Sequence, residues 1–296
     1  MSEDKPTPPV LKRPDWLRIR VGAGTEREKV RALLDKLKLH TVCSSAQCPN
    51  LCECFQHSTA TFLILGNCCT RNCRFCAVPH GRPEGPPDPE EPAHVAEAAA
   101  ELHLKYVVVT SVTRDDLDDG GAAHFAATIR ALRERIPGVG VEVLTPDFKG
   151  RRELIAMVLQ AQPTVFNHNI ETVERLSAEI RSVATYRRTL EVLNMAAELS
   201  AGTIPVKSGL MAGLGETDDE VAATLRDLRA AGVTIVTIGQ YLPPSHEHWP
   251  LMRYVTPEQF AKWGELARQM GFKQVASAPL VRSSYHAGEL FKNGSC

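Results

Sequence analysis

From Thr59 onward the chain alternates short apolar runs with longer stretches of helical periodicity, the sequence mark of a parallel sheet with crossover helices. The strands fall at 62–65, 106–112, 140–144, 164–167, 205–209 and 234–240. The helices between them fall at 92–104, 122–135, 151–160, 189–199 and 216–230. Six strands so connected suit an α/β fold of the open, partial (β/α)6 TIM-type barrel rather than a closed eight-stranded one. In such a barrel chemistry gathers where the strands end. Polar residues stand there: Thr110, Ser111 and Arg114; Glu142 and Asp147; Asn167, His168, Asn169 and Glu171; Lys207 and Ser208; Gln240.

Just after the first of these strands come Cys69, Cys73 and Cys76, with three and then two residues between them. A closed zinc site takes four protein ligands and usually draws its cysteines in pairs two residues apart, so a lone trio at this spacing fits zinc poorly. Three thiolates on a four-iron cluster would leave one iron free for a small chelating molecule. The plainer alternatives are buried core cysteines or a zinc knuckle. Upstream, Cys43, Cys48 and Cys54 form a second trio, with four and then five residues between them, in a polar, broken stretch. Two trios suggest two clusters. Cys52 and Cys68 are extra thiols, and only Cys69 and Cys54 give the quoted spacings.

Nine cysteines are present, and eight of them lie between Cys43 and Cys76, with only Cys296 elsewhere. A secreted disulfide protein would spread them, so the clustering points to metal ligation in a reducing compartment. The chain has 296 residues, 43% hydrophobic and 23% charged, with a formal net charge of -1. That balance argues against a broad field for nucleic acid or membrane, although Arg71 with Arg74 and Arg187 with Arg188 could form local patches. The proline-rich N-terminus has no apolar core for a signal peptide, and no run is long enough to span a membrane, so a cytoplasmic location is expected.

Other punctuation is local. Thr25 with Glu28 and Thr217 with Glu220 form capping boxes, and Thr256 caps a helix with Pro257 at its first position. Trp16 begins an anchoring segment. Gly213-Leu214-Gly215 lacks the third glycine of a dinucleotide fingerprint and the lysine of a P-loop, so a tight turn is expected. Asp118-Asp119-Gly120-Gly121 reads as a turn and helix start.

The cysteine loop after the first barrel strand resembles that of the radical S-adenosylmethionine enzymes. The resemblance implies that Cys69, Cys73 and Cys76 hold a [4Fe-4S] cluster, that S-adenosylmethionine chelates its unique iron, and that the reduced cluster cleaves the sulfonium. More narrowly, the Cys43, Cys48 and Cys54 trio together with Arg282-Ser283-Ser284 near the C-terminus is similar to the lipoyl synthase family. So are 166–169, 207–209, 239–242 and 253–257.

That family implies a sulfurtransferase with two [4Fe-4S] clusters. The auxiliary one is held by Cys43, Cys48, Cys54 and Ser283 and supplies sulfur to carbons 6 and 8 of a protein-bound octanoyl-lysine. Ser284 is the adjacent candidate for the serine ligand, and Arg282 could face substrate or cluster. For S-adenosylmethionine the strand-end positions point to Glu142, Asn169 and Arg181 as cofactor-binding residues, and the octanoyl chain needs an apolar slot.

Implied partners are an octanoylated lipoyl carrier domain, from a 2-oxoacid dehydrogenase E2 or the glycine cleavage H protein, and a reductant such as ferredoxin or flavodoxin. The domain plan is then 1–58 for the auxiliary-cluster extension, 59–255 for the barrel and 256–296 for a C-terminal extension returning the serine. Competing readings are another two-cluster radical enzyme, such as a methylthiotransferase acting on transfer RNA, and a cysteine-rich binding module. The sequence departs from the family at Cys68, Cys52 and Arg181-Ser182, where an apolar residue, no extra thiol and a proline are expected.

Overall fold

The computed structural model describes residues 11–17, 25–42, 61–181, 183–284 and 287–288. Cys43, Cys48, Cys52, Cys54, Ser182, Tyr285, His286 and Cys296 lie outside the described residues, as does the side chain of Thr25, which the expected capping box needs.

Valine and isoleucine dominate the strand runs because β-branched side chains pack well on a pleated, buried surface. The described strands are β1 His40–Thr41, β2 Thr61–Ile64, β3 Tyr106–Ser111, β4 Gly140–Leu144, β5 Val165–Asn167, β6 Val206–Ala212, β7 Ile235–Gln240 and β8 Gln274–Ser277. They form one sheet in sequence order, in which β1 runs antiparallel to β2 and the other neighbours pair in parallel. Strands β2 to β7 are the six expected. β1 and β8 are additions at the two edges, and among the described residues nothing joins β8 back to β1, so the barrel stays open.

The helices are α1 Thr25–Lys36, α2 Glu91–Glu101, α3 Ala122–Arg135, α4 Arg152–Gln160, α5 Glu174–Ile180, α6 Tyr186–Ser200, α7 Asp218–Ala230 and α8 Pro257–Gln269. Their starts are set locally. At α7 the Thr217 hydroxyl accepts the Glu220 N–H at 3.2 Å while the Glu220 carboxylate accepts the Thr217 N–H at 2.8 Å, the expected capping box. Thr256 caps α8 by accepting the N–H of Gln259, and Asp119 accepts the N–H groups of Gly121 and Ala123 at the start of α3. Trp16 packs edge-on against Tyr254, 6.4 Å between ring centroids.

A closed barrel fills its lumen with layers of side chains. Here β6 and β7 present glycines instead. A Cβ on Gly209 would stand 2.8 Å from Ser283 Oγ, and one on Gly239 would collide with the carbonyl of Val281. The chain beyond β8 occupies that space, fixed by bonds from Ala278 N to Ile238 O (3.2 Å) and from Gln240 N to Pro279 O (3.1 Å). The protein's own C-terminal segment therefore roofs the mouth.

Candidate active site

The loop carrying Cys69, Cys73 and Cys76 leaves β2 through Leu65 and Gly66, both with positive φ. Its ends are clasped by two backbone bonds, Cys69 N to Pro79 O at 2.8 Å and Gly81 N to Cys69 O at 2.9 Å. Three further bonds tie the loop to distant elements: Thr70 N to Thr113 O, Arg74 N to Ile180 O, and Trp249 N to Arg74 O. The Arg74 guanidinium also lies 4.5 Å over the Trp249 ring. An irregular loop of this length keeps one shape only because its backbone groups are so paired.

The Cys69 sulfur accepts two backbone N–H groups, from Thr113 at 3.3 Å and Arg71 at 3.4 Å. Burial pushes the thiols of Cys73 and Cys76 up, the latter to about 12, so unliganded they carry their protons at neutral pH. All three cysteines line one cavity of about 360 Å³. Among the described residues no three His, Cys, Asp or Glu side chains converge on a point that could hold a single ion. Three soft sulfur donors on one cavity wall fit the ligand set of a multi-iron cluster. Cys68 instead lines a different cavity, with His40 and His94.

Arg71, between the first two cysteines, is buried rather than solvated. Its Nε and Nη2 donate to Asp115 at 2.7 and 2.8 Å, and Nη2 also donates to Asp147 at 2.7 Å. Burial alone would pull the guanidinium's proton affinity down, but the bonds to the two carboxylates outweigh it. Burial likewise opposes the ionised Asp147, yet the Arg71 bond holds its carboxyl at about 2. No local pattern announces this burial, because the acids that cause it come from beyond the ends of β3 and β4.

Across the cavity, β5 ends at Asn167, and His168 and Asn169 follow it. His168 donates Nδ1–H to the Thr145 carbonyl at 2.8 Å, leaving Nε2 unprotonated, and burial lowers its pKa to about 4. His168 Nε2, Asn169 Oδ1 and Arg181 Nε are buried without a hydrogen-bond partner among the described residues. Unpaired polar atoms are costly, and three around one cavity fit a polar ligand that supplies the missing bonds. Asn169 Nδ2 donates to Ser283 Oγ at 2.7 Å, and Arg181 donates Nη1 to the Ile170 carbonyl at 2.9 Å. Ser283, Ser284 and Arg282 line the same cavity.

Not every expected residue reaches this mouth. Thr110, Ser111, Asp147, Asn167, His168, Asn169, Glu171 and Gln240 line the cavity, whereas Arg114, Glu142, Lys207 and Ser208 do not. Glu142 lies within β4 and accepts bonds from Lys207 (2.8 Å), Tyr106 (3.0 Å) and Asn167 (3.1 Å). Arg114 pairs with Asp116, and Ser208 bridges the Ile170 N–H and the His168 carbonyl. Gly213-Leu214-Gly215 is the tight turn expected. Its three N–H groups are taken by the Glu216 carboxylate, at 2.8, 2.9 and 3.1 Å, so they cradle no phosphate.

The radical SAM superfamily profile matches residues 63–228, more than half of the chain, from within β2 to within α7. Solved structures share the architecture. A methylornithine synthase superposes with a TM-score of 0.55 at 13% identity, covering 86% of this chain and 76% of that one. The FeFe-hydrogenase maturase HydG from Carboxydothermus hydrogenoformans gives 0.56 at 12% identity, covering 90% and 78%. At these identities the likeness is one of fold. This chain is thus a radical S-adenosylmethionine enzyme, a class that works with a [4Fe-4S] cluster and S-adenosylmethionine.

The lipoyl synthase of Methylococcus capsulatus is 58% identical over 280 residues, covering 94% of this chain and 86% of that protein. That of Thermus thermophilus is 49% identical over 292 residues, covering 98% and 90%. Within its class, the chain belongs to the lipoyl synthases.

Proposed function

We propose that the chain inserts two sulfur atoms, at carbons 6 and 8 of an octanoyl group amide-linked to a lysine of a lipoyl carrier domain, with an auxiliary [4Fe-4S] cluster as the sulfur donor. The observation that carries this is the meeting of Ser283 with Cys69, Cys73 and Cys76 on the wall of one cavity. Cys43, Cys48 and Cys54 complete the auxiliary set with Ser283. An alkoxide is a harder, more weakly matched ligand for iron than thiolate, which suits a cluster that is consumed.

Bound at Cys69, Cys73 and Cys76, the first cluster and S-adenosylmethionine supply the hydrogen-abstracting chemistry of the class. The chain's residues do the positioning. Arg181 meets the cofactor carboxylate as a charge-assisted donor. Asn169 Oδ1 and His168 Nε2 accept N–H and O–H groups that would otherwise be unpaired. Arg71, locked by Asp115 and Asp147, keeps the loop's entry rigid. Val108, Leu144 and Leu210 give the cavity an apolar flank that excludes water from an octanoyl chain.

The carrier is the lipoyl domain of a 2-oxoacid dehydrogenase E2 or the glycine cleavage H protein, the reductant a ferredoxin or flavodoxin, and the setting cytoplasmic. No described helix is long and apolar enough to cross a membrane.

The test is anaerobic reconstitution followed by reaction of an octanoyl-lysine peptide with dithionite and S-adenosylmethionine. The protein should hold about eight irons, from two four-iron clusters, and the peptide should gain two sulfurs, with two cofactor molecules cleaved per lipoyl group. Cys43→Ala should still cleave the cofactor while losing insertion. Full lipoyl formation by that variant would remove the auxiliary cluster from the reaction.

A further inference from the structure

Lys207 is among the most completely buried side chains of the described protein, at 1% exposure, and its partner Glu142 is equally enclosed. Two desolvated charges are an uneconomical way to fill a lumen, because a well-packed apolar pair often does as well or better. The ion pair therefore asks for a reason beyond stability, and its remaining bonds supply one.

Glu142 gathers Tyr106 from β3, Asn167 from β5 and Lys207 from β6, which fixes its carboxylate against three strands. Lys207 then carries the network upward. Its Nζ donates to the backbone carbonyl of Ser283 at 2.6 Å. Along the C-terminal segment, bonds at Ala278, Pro279 and Val281 hold the chain to the sheet and close its turn. Ser283 is then held from both sides, with its carbonyl on Lys207 and its hydroxyl on Asn169 Nδ2, in the space left by Gly209.

We infer that Lys207 and Glu142 are positioning residues for Ser283: the buried pair pins the Arg282-Ser283-Ser284 turn so that the serine hydroxyl faces the cavity and not the solvent. The inference rests on the reading of Ser283 as the oxygen ligand of the auxiliary cluster. Neither residue lines the cavity, so the pair acts through the turn and touches no reactant. A compact ammonium suits the task, since it can serve a carboxylate and a carbonyl at once on divergent bonds.

The test compares wild-type holoenzyme with Lys207→Met/Glu142→Gln, which removes both buried charges together, and with Lys207→Arg, which keeps the ion pair but replaces the point donor by a planar fork. Hydrogen exchange of segment 281–284 should quicken at least about tenfold in either variant, as expected for loss of a charge-assisted bond, while segment 235–240 stays protected. The ratio of 5'-deoxyadenosine released to lipoyl group formed should rise about tenfold as well, since a displaced serine uncouples cofactor cleavage from insertion. Unchanged exchange at 281–284 in whichever variant folds overturns the inference. Ser283→Ala is run in parallel. Should it leave the ratio at the wild-type value, the ligand reading fails, while the exchange data still decide whether Lys207 holds the turn.

Discussion

Asn169 Nδ2 and Ser283 Oγ stand 2.7 Å apart across 114 residues of chain. Asn169 follows the end of β5 and Ser283 belongs to the roofing segment, so this bond joins the wall of the mouth to its roof. The same amide leaves Oδ1 without a partner among the described residues, inside the cavity. One side chain thus faces the cavity with its oxygen and the roof with its nitrogen.

Asn169→Leu, close in volume, removes both ends. Affinity for S-adenosylmethionine should fall roughly tenfold, the effect of one lost hydrogen bond to a charged group, and sulfur insertion should fall further because Ser283 is released. Equilibrium dialysis and product mass measure the two separately. Equal losses in both would deny Asn169 its second role.

Arg71→Met strands Asp147 in a buried site, which costs about 3–5 kcal/mol, read by urea unfolding of the metal-free protein. The Asp147 carboxyl is held at about 2, below its ordinary value of 3.8, so its contribution is complete above about pH 4 and disappears as pH falls through about 2. The stability gap between wild type and variant should therefore shrink across that window. A gap independent of pH would show that the ion pair is not its source.

Cys69→Ala should halve the iron content, from about eight to about four per chain, and abolish cofactor cleavage. Cys68→Ala should change neither, because that thiol lines a separate cavity. Loss of iron in Cys68→Ala would mean that the ligand register is shifted by one residue.

Gly239→Ala places a methyl group against the Val281 carbonyl, with no flexible side chain to give way. The barrel should remain folded while the C-terminal segment lifts, seen as protease sensitivity after residue 278 together with lost lipoyl formation. An unaltered cleavage pattern would mean that the backbone shifts to absorb the methyl.

Much of the fold could be read from sequence because its determinants are local. The run around Val107 to Val109, the cap at Thr217 and the proline at 257 each announce their element within a few residues. The missed elements were short: α5 has seven residues, and β8 has four, all half-buried, so neither carries a full period of its pattern. The cysteine spacing was visible for the same local reason. Depth was not. Period two puts Glu142 on the inner face with Leu144, but only the sheet register shows that it sits one layer below the mouth, opposite Val165 and beside Lys207. Arg71 was opaque because its two acids arrive from 44 and 76 residues away.

The glycine-lined lumen also sets an order of events during synthesis. Residues that bind over β6 and β7 leave the ribosome after the strands they cover, because synthesis runs from the N-terminus. The nascent chain can therefore shape its metal-binding loop and strands while the space above them is still uncovered. A cluster assembled at Cys69, Cys73 and Cys76 would have a window before segment 278–284 docks, and one assembled afterwards would first have to lift that segment away.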